Sequence, residues 1–462
     1  MAGSRWVRLD IADAATGAAL RLRGDALPSL AAALRAQAGT LTGVLTLSFV
    51  VRVLWIAASG WTPTPDDDAW RYDFTARALA DGLGYIHLNG EPTAFWPPGY
   101  PLLLGGAYAL FGDSIVVAQL LNALLGTATV GLVYLIGLRL FGRTPGLIAA
   151  ALVAFWPSLI FYTAVTLSEV AFTFVALLAV LLLVIEAQSA REGRSLRWLL
   201  AAGVVLGFAS LIRGQALLLP LVLVPFWLAS GIDRRGVAHG IVALGLGMGL
   251  VVAPWTVRNA VQLHEPVLIA TNAGVDFWIG HHDAATGDFG ATGGNELVYR
   301  YPEMGSPQRE ARVNNDGFRE GLTYAVTHPK EELALPFKKL FWLYYNDEEG
   351  LAWNEGHGGQ QFLSTGARDG LRLLSNSYYF AILGVLLLGV PFWFSPREPG
   401  RVLLASLVLY WTLIHLAFFG DPRFHAPIMP VVALLAALPL AAMRLGMPER
   451  PPDMDIEAEP GF

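Results

Sequence analysis

The sequence predicts an all-α polytopic membrane protein, a bundle of about ten transmembrane helices with a helical and loop domain on the outer face. Three observations carry this. Hydrophobic residues make up 54% of the chain and charged residues only 15%, where a soluble domain carries roughly 25% charged residues. The mean hydropathy is +0.49. The apolar residues fall in runs close to the ~20 residues that cross a bilayer. With charges confined between such runs, their placement means more than the net −6, and no nucleic-acid partner is expected. The absence of cysteine excludes disulfides, thiolate metal sites and cysteine nucleophiles.

Residues 1–38 read as a polar cytoplasmic tail, with a small hairpin over 5–23. The first hydrophobic run begins near Gly39, too far in for a cleavable leader, and reads as a signal-anchor helix. Spans are expected at 40–60, 114–138, 145–163, 168–186, 198–212, 216–230, 239–256, 373–394, 402–420 and 424–443. The fifth and sixth are short and meet at Arg213-Gly214-Gln215. Residues 39–256 thus form a membrane module whose first outer loop is 61–112; within it, Gly99–Gly112 suits an interfacial helix. Residues 257–372 form the outer domain, 373–445 the C-terminal spans, and 446–462 a Pro- and acid-rich cytoplasmic tail without order. In the outer domain, Leu333, Phe337, Leu340, Phe341 and Tyr344 recur at helical spacing, predicting an amphipathic helix that lies on the bilayer.

Arginine sets the orientation. With both termini inside, the inner segments hold Arg139 and Arg143, Arg191, Arg194 and Arg197, Arg234 and Arg235, and Arg397 and Arg401, besides those of the two tails. The short outer loops hold only Arg71, Arg77, Arg213 and Arg423. The unusual polar groups then share the outer face: Asp66-Asp67-Asp68, Ser168-Glu169, Arg213, Arg258-Asn259 and Asp421-Pro422-Arg423. Acid groups beside a membrane are costly unless solvated or paired, so this face is expected to carry the function.

Each group has a bland reading beside the functional one. Asp66-Asp67-Asp68 precedes a helical pattern through Tyr72, Ala76, Leu79 and Leu83, so one or two of the acids serve as caps. Asp66 is the expected cap, and at least one of the other two acids is expected to be functional. Glu169 follows Ser168 at the mouth of a span, where it either favours a helix N-terminus or joins Asp68 in a site. Arg52, Arg213, Arg258 and Arg423 either snorkel to headgroups or bind phosphate, which guanidinium grips in bidentate fashion. Arg52 stands out because it lies within the first span. Adjacent His281-His282-Asp283 is a weak metal signal, and no metal site is expected from spacing alone. Trp96, Trp278, Trp342 and Trp353 read as interfacial aromatics, with sugar stacking as the alternative for one of them. No repeat, P-loop or dinucleotide fingerprint is visible.

The order of several short motifs resembles the GT-C glycosyltransferases, family 39 and its kin among the protein O-mannosyltransferases and lipid A aminoarabinose transferases. These are Asp68, Tyr72, Gly84-Tyr85, Pro92-Thr93-Ala94 and Pro97-Pro98-Gly99-Tyr100-Pro101 in the first outer loop. They continue in Leu140-Phe141-Gly142-Arg143, Leu167-Ser168-Glu169, Pro254-Trp255-Thr256-Val257-Arg258-Asn259 and Phe277-Trp278-Ile279-Gly280. The likeness spans about residues 40–440.

The resemblance implies an inverting hexosyl- or pentosyltransferase, mannosyltransferase-like, that uses a polyprenyl-phosphate-linked sugar. It implies Asp68 as acceptor base, with Asp67 in its place if the register slips by one. Glu169 would orient the acceptor or, as in some relatives, help hold a divalent metal. Tyr72, Trp96 and Tyr100 would line the substrate site, and Arg213, Arg258, Arg423 and Arg52 would meet the donor phosphate. The sequence departs from the aminoarabinose transferases at Trp96, where those enzymes carry a lysine. The partners implied are the lipid-linked donor, membrane lipids and a hydroxyl acceptor in protein, lipid or envelope glycan. Two rivals share the spans and arginines: a flippase for a lipid-linked sugar, and a non-catalytic envelope assembly protein.

Overall fold

A computed structural model describes residues 38–445 except 66, 190–194, 291–295, 298, 303–305, 357–360 and 397. The hairpin expected over 5–23 and the tail after 446 lie outside these residues. Among those described there is no strand, only an isolated bridge between Ile86 and Pro92. The chain is an all-α polytopic membrane protein.

Helix α1 (Ala38–Ser59) is the first apolar span. The segment that follows folds into α2 (Asp68–Ala80) and α3 (Gly99–Phe111), which pack against each other. The long α4 (Ile115–Phe141) returns through the bilayer. It leads to α5 (Arg143–Ala154) and α6 (Pro157–Phe161). Then come α7 (Glu169–Ser189), α8 (Leu196–Ile212), α9 (Leu219–Ala229) and α10 (Arg234–Leu263). The segment after α10 holds α11 (Ala273–Ile279), α12 (Ser306–Thr327), α13 (Pro329–Tyr344) and α14 (Glu349–Glu355). The chain closes with α15 (Thr365–Leu388), α16 (Val390–Trp393), α17 (Pro399–Leu416), α18 (Pro422–His425) and α19 (Met429–Leu445).

Every expected span coincides with an apolar helix, but the ten are not equivalent crossings. Among the described residues, 7 helices are long and apolar enough to cross a membrane, or 8 counting a bent pair as one span. That pair, Arg143–Ala154 and Pro157–Ala164, bends by 59°. Pro157 lacks an N–H to continue the helix, so the chain turns there. Helix α8 has 17 residues, hence about 26 Å at 1.5 Å per residue, short of a ~30 Å hydrocarbon core. It ends at Arg213, and a 3-10 turn, Gly214–Leu218, leads into α9. Helix α13 buries Leu335, Lys339 and Leu343 and leaves Leu333, Phe337, Leu340 and Phe341 exposed.

Breaking the span at Pro157 frees backbone carbonyls inside the bundle, and α4 supplies donors for them. Gln119 Nε2 donates to Ala164 O at 2.9 Å and to Trp61 O at 3.2 Å. Asn122 Nδ2 donates to Val165 O at 2.8 Å. Irregular backbone at membrane depth persists only when satisfied in this way. The consequence is a fixed stretch, 162–168, that ends in Ser168-Glu169 at the head of α7. The helix from Pro422 to Met443 is as enclosed as α7. Each of these two central spans therefore begins at a buried charged residue, Glu169 and Arg423 respectively.

Candidate active site

Helix α2 starts where its cap is made. Asp67 is the N-cap, and its Oδ1 accepts from the Trp70 N–H at 2.6 Å. The cap was expected at Asp66, which lies outside the described residues. Capping needs an acceptor on the residue just before the first helical one, and the helix begins at Asp68 rather than Asp67. Burial pushes the Asp67 carboxyl up and its bond to Trp70 N–H pulls it down, with a net rise. Asp68, as first helical residue, is left free to point elsewhere.

It points at Arg423. Asp68 Oδ2 accepts from Arg423 Nη1 at 2.8 Å. Arg423 Nε donates to Glu169 Oε1. The same Oε1 accepts from Arg213 Nη2 at 2.7 Å, while Arg213 Nε donates to Ser168 Oγ at 3.0 Å. A carboxylate thus sits at the head of α7, where the helix dipole favours negative charge, between two guanidiniums. Glu169 is 2% exposed, Arg213 7% and Arg423 8%, whereas the Asp68 side chain is 36% exposed. Asp68 is the member of this cage that a substrate can reach. Arg213 Nη1 is buried with no hydrogen-bond partner among the described residues.

The surroundings fix the two arginines. The Arg423 guanidinium lies over Trp353 of α14, 4.9 Å from the ring centroid, and Arg213 over Phe424 at 5.6 Å. Asp421 caps α18, accepting from Arg423 N–H at 2.8 Å. The loop before it passes beneath α13, where a Cβ on Gly420 would stand 2.0 Å from Lys339 O. Only glycine fits there, so the approach to Arg423 is set by backbone contact.

The remaining sequence-predicted residues divide. Tyr72 is buried one turn beyond Asp68 and meets Tyr100 edge-on at 5.4 Å. Burial and the Asp68 charge hold its phenol well above the usual range. Trp96 is half-buried with the Arg71 guanidinium 5.3 Å from its ring, and its carbonyl accepts from Tyr85 Oη at 2.9 Å. Arg258 is not in the cage. Its Nη1 donates to Thr93 O at 2.6 Å and its Nη2 to Tyr85 O at 2.7 Å, clipping the loop between α2 and α3 to α10. Arg52 is buried inside the bundle, 1% exposed. Its Nη1 donates to Ser48 O at 3.0 Å and Ala154 O at 3.2 Å. His281 is engaged with Glu332 at 2.9 Å and Lys339 at 3.1 Å. No cluster of three or more His, Asp or Glu side chains suited to a metal occurs among the described residues.

Comparison with known proteins agrees with this architecture. Solved structures of the oligosaccharyltransferase of Archaeoglobus fulgidus superpose on nearly the whole chain. One, of AglB in complex with an inhibitory peptide and a dolichol-phosphate, gives a TM-score of 0.52 at 16% identity, over 90% of this chain and 53% of that one. The apo form gives 0.53 at 15% identity, over 89% and 51%. The chain carries the GT-C glycosyltransferase fold. It spans about half the length of those structures. Residues 96–257 match the family model described as dolichyl-phosphate-mannose-protein mannosyltransferase. No curated protein matches by sequence.

Two acids near the cage, Asp276 and Glu349, escaped sequence reasoning, while Asp421 was already marked by its place before Arg423. Asp276 of α11 is half-buried, and its Oδ2 accepts from Asn272 Nδ2 at 2.9 Å. Burial and the charge of Asp68 push it up to about 7, against the pull of Arg213 and Arg423. Glu349 of α14 is likewise pushed up to about 7, by burial and then by Asp421. Burial also raises Asp421. Asp276 stands directly before Phe277-Trp278, an acid ahead of an apolar turn, which was the available signal. Glu349 lies in Asp347-Glu348-Glu349, a run that reads as a solvated face. Nothing local marks it as one wall of a site.

Proposed function

We propose that this protein transfers a sugar from a polyprenyl-phosphate carrier to a hydroxyl acceptor on the extracytoplasmic face, with inversion at the anomeric carbon. The observation that carries the reading is the cage itself: Arg423 bridges the reachable Asp68 to the buried Glu169, and Arg213 keeps a buried donor unspent beside them. The GT-C fold and the mannosyltransferase family match support the same chemistry.

In this mechanism Asp68 accepts the proton of the acceptor hydroxyl as its oxygen attacks the anomeric carbon. The bond from that carbon to the phosphate oxygen breaks, and the phosphate leaves with the electron pair. Arg213 and Arg423 meet the charge that grows on it, in a site shielded from water where fixed donors act most strongly. Glu169 keeps both guanidiniums in place. Tyr72, Tyr100 and Trp96 flank the acceptor side of α2. Relatives of this fold invite a divalent metal, but Glu169 Oε1 is already shared by two guanidiniums, and no group of three or more His, Asp or Glu side chains suited to a metal occurs among the described residues. The described residues of the cage do not fit a metal, and no step runs through one.

The test is transfer by purified protein in proteoliposomes given a labelled polyprenyl-phosphate sugar and a mixture of envelope acceptors. Release of polyprenyl phosphate with label on an acceptor supports the reading. Label that moves between leaflets with the donor intact would instead establish the flippase reading.

A further inference from the structure

Two residues past Arg423, His425 belongs to a polar cluster that the mechanism leaves unused. Its members are Trp156, Asp347 and His425, which are 0%, 2% and 0% exposed. The other two share the Asp347 carboxylate. Its Oδ2 accepts from Trp156 Nε1 at 2.7 Å, and its Oδ1 lies 3.0 Å from His425 Nε2. On the other side of the ring, His425 Nδ1 lies 2.7 Å from Leu343 O.

These partners assign the protons of the ring. A backbone carbonyl only accepts, so Nδ1 carries a proton. A carboxylate that accepts from the Trp156 indole accepts again at Oδ1, so Nε2 carries the second. His425 is then an imidazolium paired with Asp347. Its ring lies nearly parallel to Tyr379 at 5.0 Å and to Tyr344 at 5.9 Å, and an aromatic face attracts a cation. Burial raises the carboxyls of Glu349 and Asp421, and the charge of His425 is among the pulls that lower them.

The three residues come from parts that the cage needs in register. Trp156 stands directly before Pro157, at the break that leads through 162–168 to Glu169. His425 closes α18, the single turn that carries Arg423 and is capped at its other end by Asp421. Asp347 stands two residues before α14, whose Trp353 ring the Arg423 guanidinium covers. Helix α15 fixes Asp347 in turn: its N–H donates to Asn376 Oδ1 at 2.8 Å and its carbonyl accepts from Ser375 Oγ. One carboxylate therefore joins the segment that delivers Glu169 to the turn that delivers Arg423.

We propose that Asp347 and His425 form a buried ion pair that holds the Arg423 turn in register with the head of α7, which makes Asp347 a positioning residue for the contact between Arg423 and Glu169. Buried as it is, the pair touches neither donor nor acceptor. Without it α18 and the start of α14 shift, Arg423 meets the leaving phosphate less well as charge grows there, and kcat suffers more than donor binding. The kinetic consequence rests on the transferase reading; the ion pair does not.

The experiment has two arms. Solid-state NMR of the full chain in nanodiscs, with isotope-labelled histidine at neutral pH, reads the ring directly, and the signal lost in His425→Gln assigns it. Protons on both nitrogens are expected, and a bare Nε2 overturns the ion pair whatever the protein's activity. The kinetic arm compares Asp347→Asn with Trp156→Phe. Asp347→Asn is expected to lower kcat by about 10-fold or more, with the donor KM within about 3-fold, and to leave one nitrogen of His425 bare. Removing one partner of a buried pair is strongly destabilising, so Trp156→Phe decides where that variant does not fold. It keeps both charges and an aromatic ring and removes one bond to Asp347, and kcat is expected to fall by about 3-fold with KM unchanged. Folded Asp347→Asn with kcat intact, whether or not KM rises, or Trp156→Phe at the wild-type kcat, would overturn the positioning role. Wild-type protein without transfer in any assay defeats the transferase reading alone and leaves the ring signal to decide the ion pair.

Discussion

Four arginines looked alike in the sequence, and the structure sorts them into two pairs. Arg423 is shared between the carboxylates of Asp68 and Glu169, and Arg213 meets the same Glu169 Oε1 and the Ser168 hydroxyl. Arg52 and Arg258 are spent largely on backbone carbonyls, of Ser48 and Ala154 in one case and Thr93 and Tyr85 in the other. A guanidinium that ties carbonyls fixes where segments run. One held on a carboxylate, with a donor to spare, can receive an incoming phosphate. The difference lies in what each meets across the chain, not in its sequence neighbours.

The sharpest break in that contrast comes from Arg423. Replacing it with Met leaves Glu169 with one guanidinium and Asp68 with none, and transfer is expected to fall by about 10³-fold or more, given that one lost donor costs 10²–10³. Stability should fall too, since breaking a buried ion pair costs about 3–5 kcal/mol. Transfer rates and thermal melts on the same preparation measure both. Arg258→Met works on the other pair. It should loosen the loop between α2 and α3, seen as faster proteolysis around residues 85–93, and raise KM several-fold while kcat stays within about 3-fold, as expected when binding rather than transition-state contact is lost. Equal kcat losses for the two variants would erase the distinction.

Asp276 gives a smaller, pH-dependent effect. Its folded-state carboxyl titrates at about 7, above its unfolded value near 4. Between those values the native state binds the extra proton, so stability falls as pH rises toward 7 and levels off above it. Asp276→Asn should therefore raise the melting temperature at pH 8 and change it little at pH 4, read by differential scanning fluorimetry. A gain confined to low pH would reverse the assignment. The smallest effect belongs to Asp67→Ala, the loss of one cap, about 1 kcal/mol in stability with transfer retained.

Much of this was legible beforehand, for identifiable reasons. The spans follow from apolar runs, and Arg213 between two short helices marked its own turn. Asp68 was separable from its neighbours by its place before Tyr72, although the capping role fell to Asp67 because the helix begins one residue later than Asp67. The bend at Pro157 was hidden because Ile160, Phe161 and Tyr162 continue the apolar pattern through it. The pairing of Asp68 with Arg423 joins residues 355 apart in sequence, and no local period encodes such a contact. Asp276 and Glu349 were missed for the same reason. What makes them unusual is burial by distant segments, which the sequence near them does not display.

The most direct test is Asp68→Asn in proteoliposomes, with transfer from a labelled polyprenyl-phosphate sugar and binding of the same donor measured together. Asparagine keeps the shape and can still meet Arg423 through its carbonyl oxygen, but it cannot take the acceptor's proton. The expected result is transfer below detection, donor affinity within a few-fold of wild type, and a folded protein by gel filtration and thermal melt. Transfer at the wild-type rate would contradict Asp68 as the base and, with it, the central claim about this site.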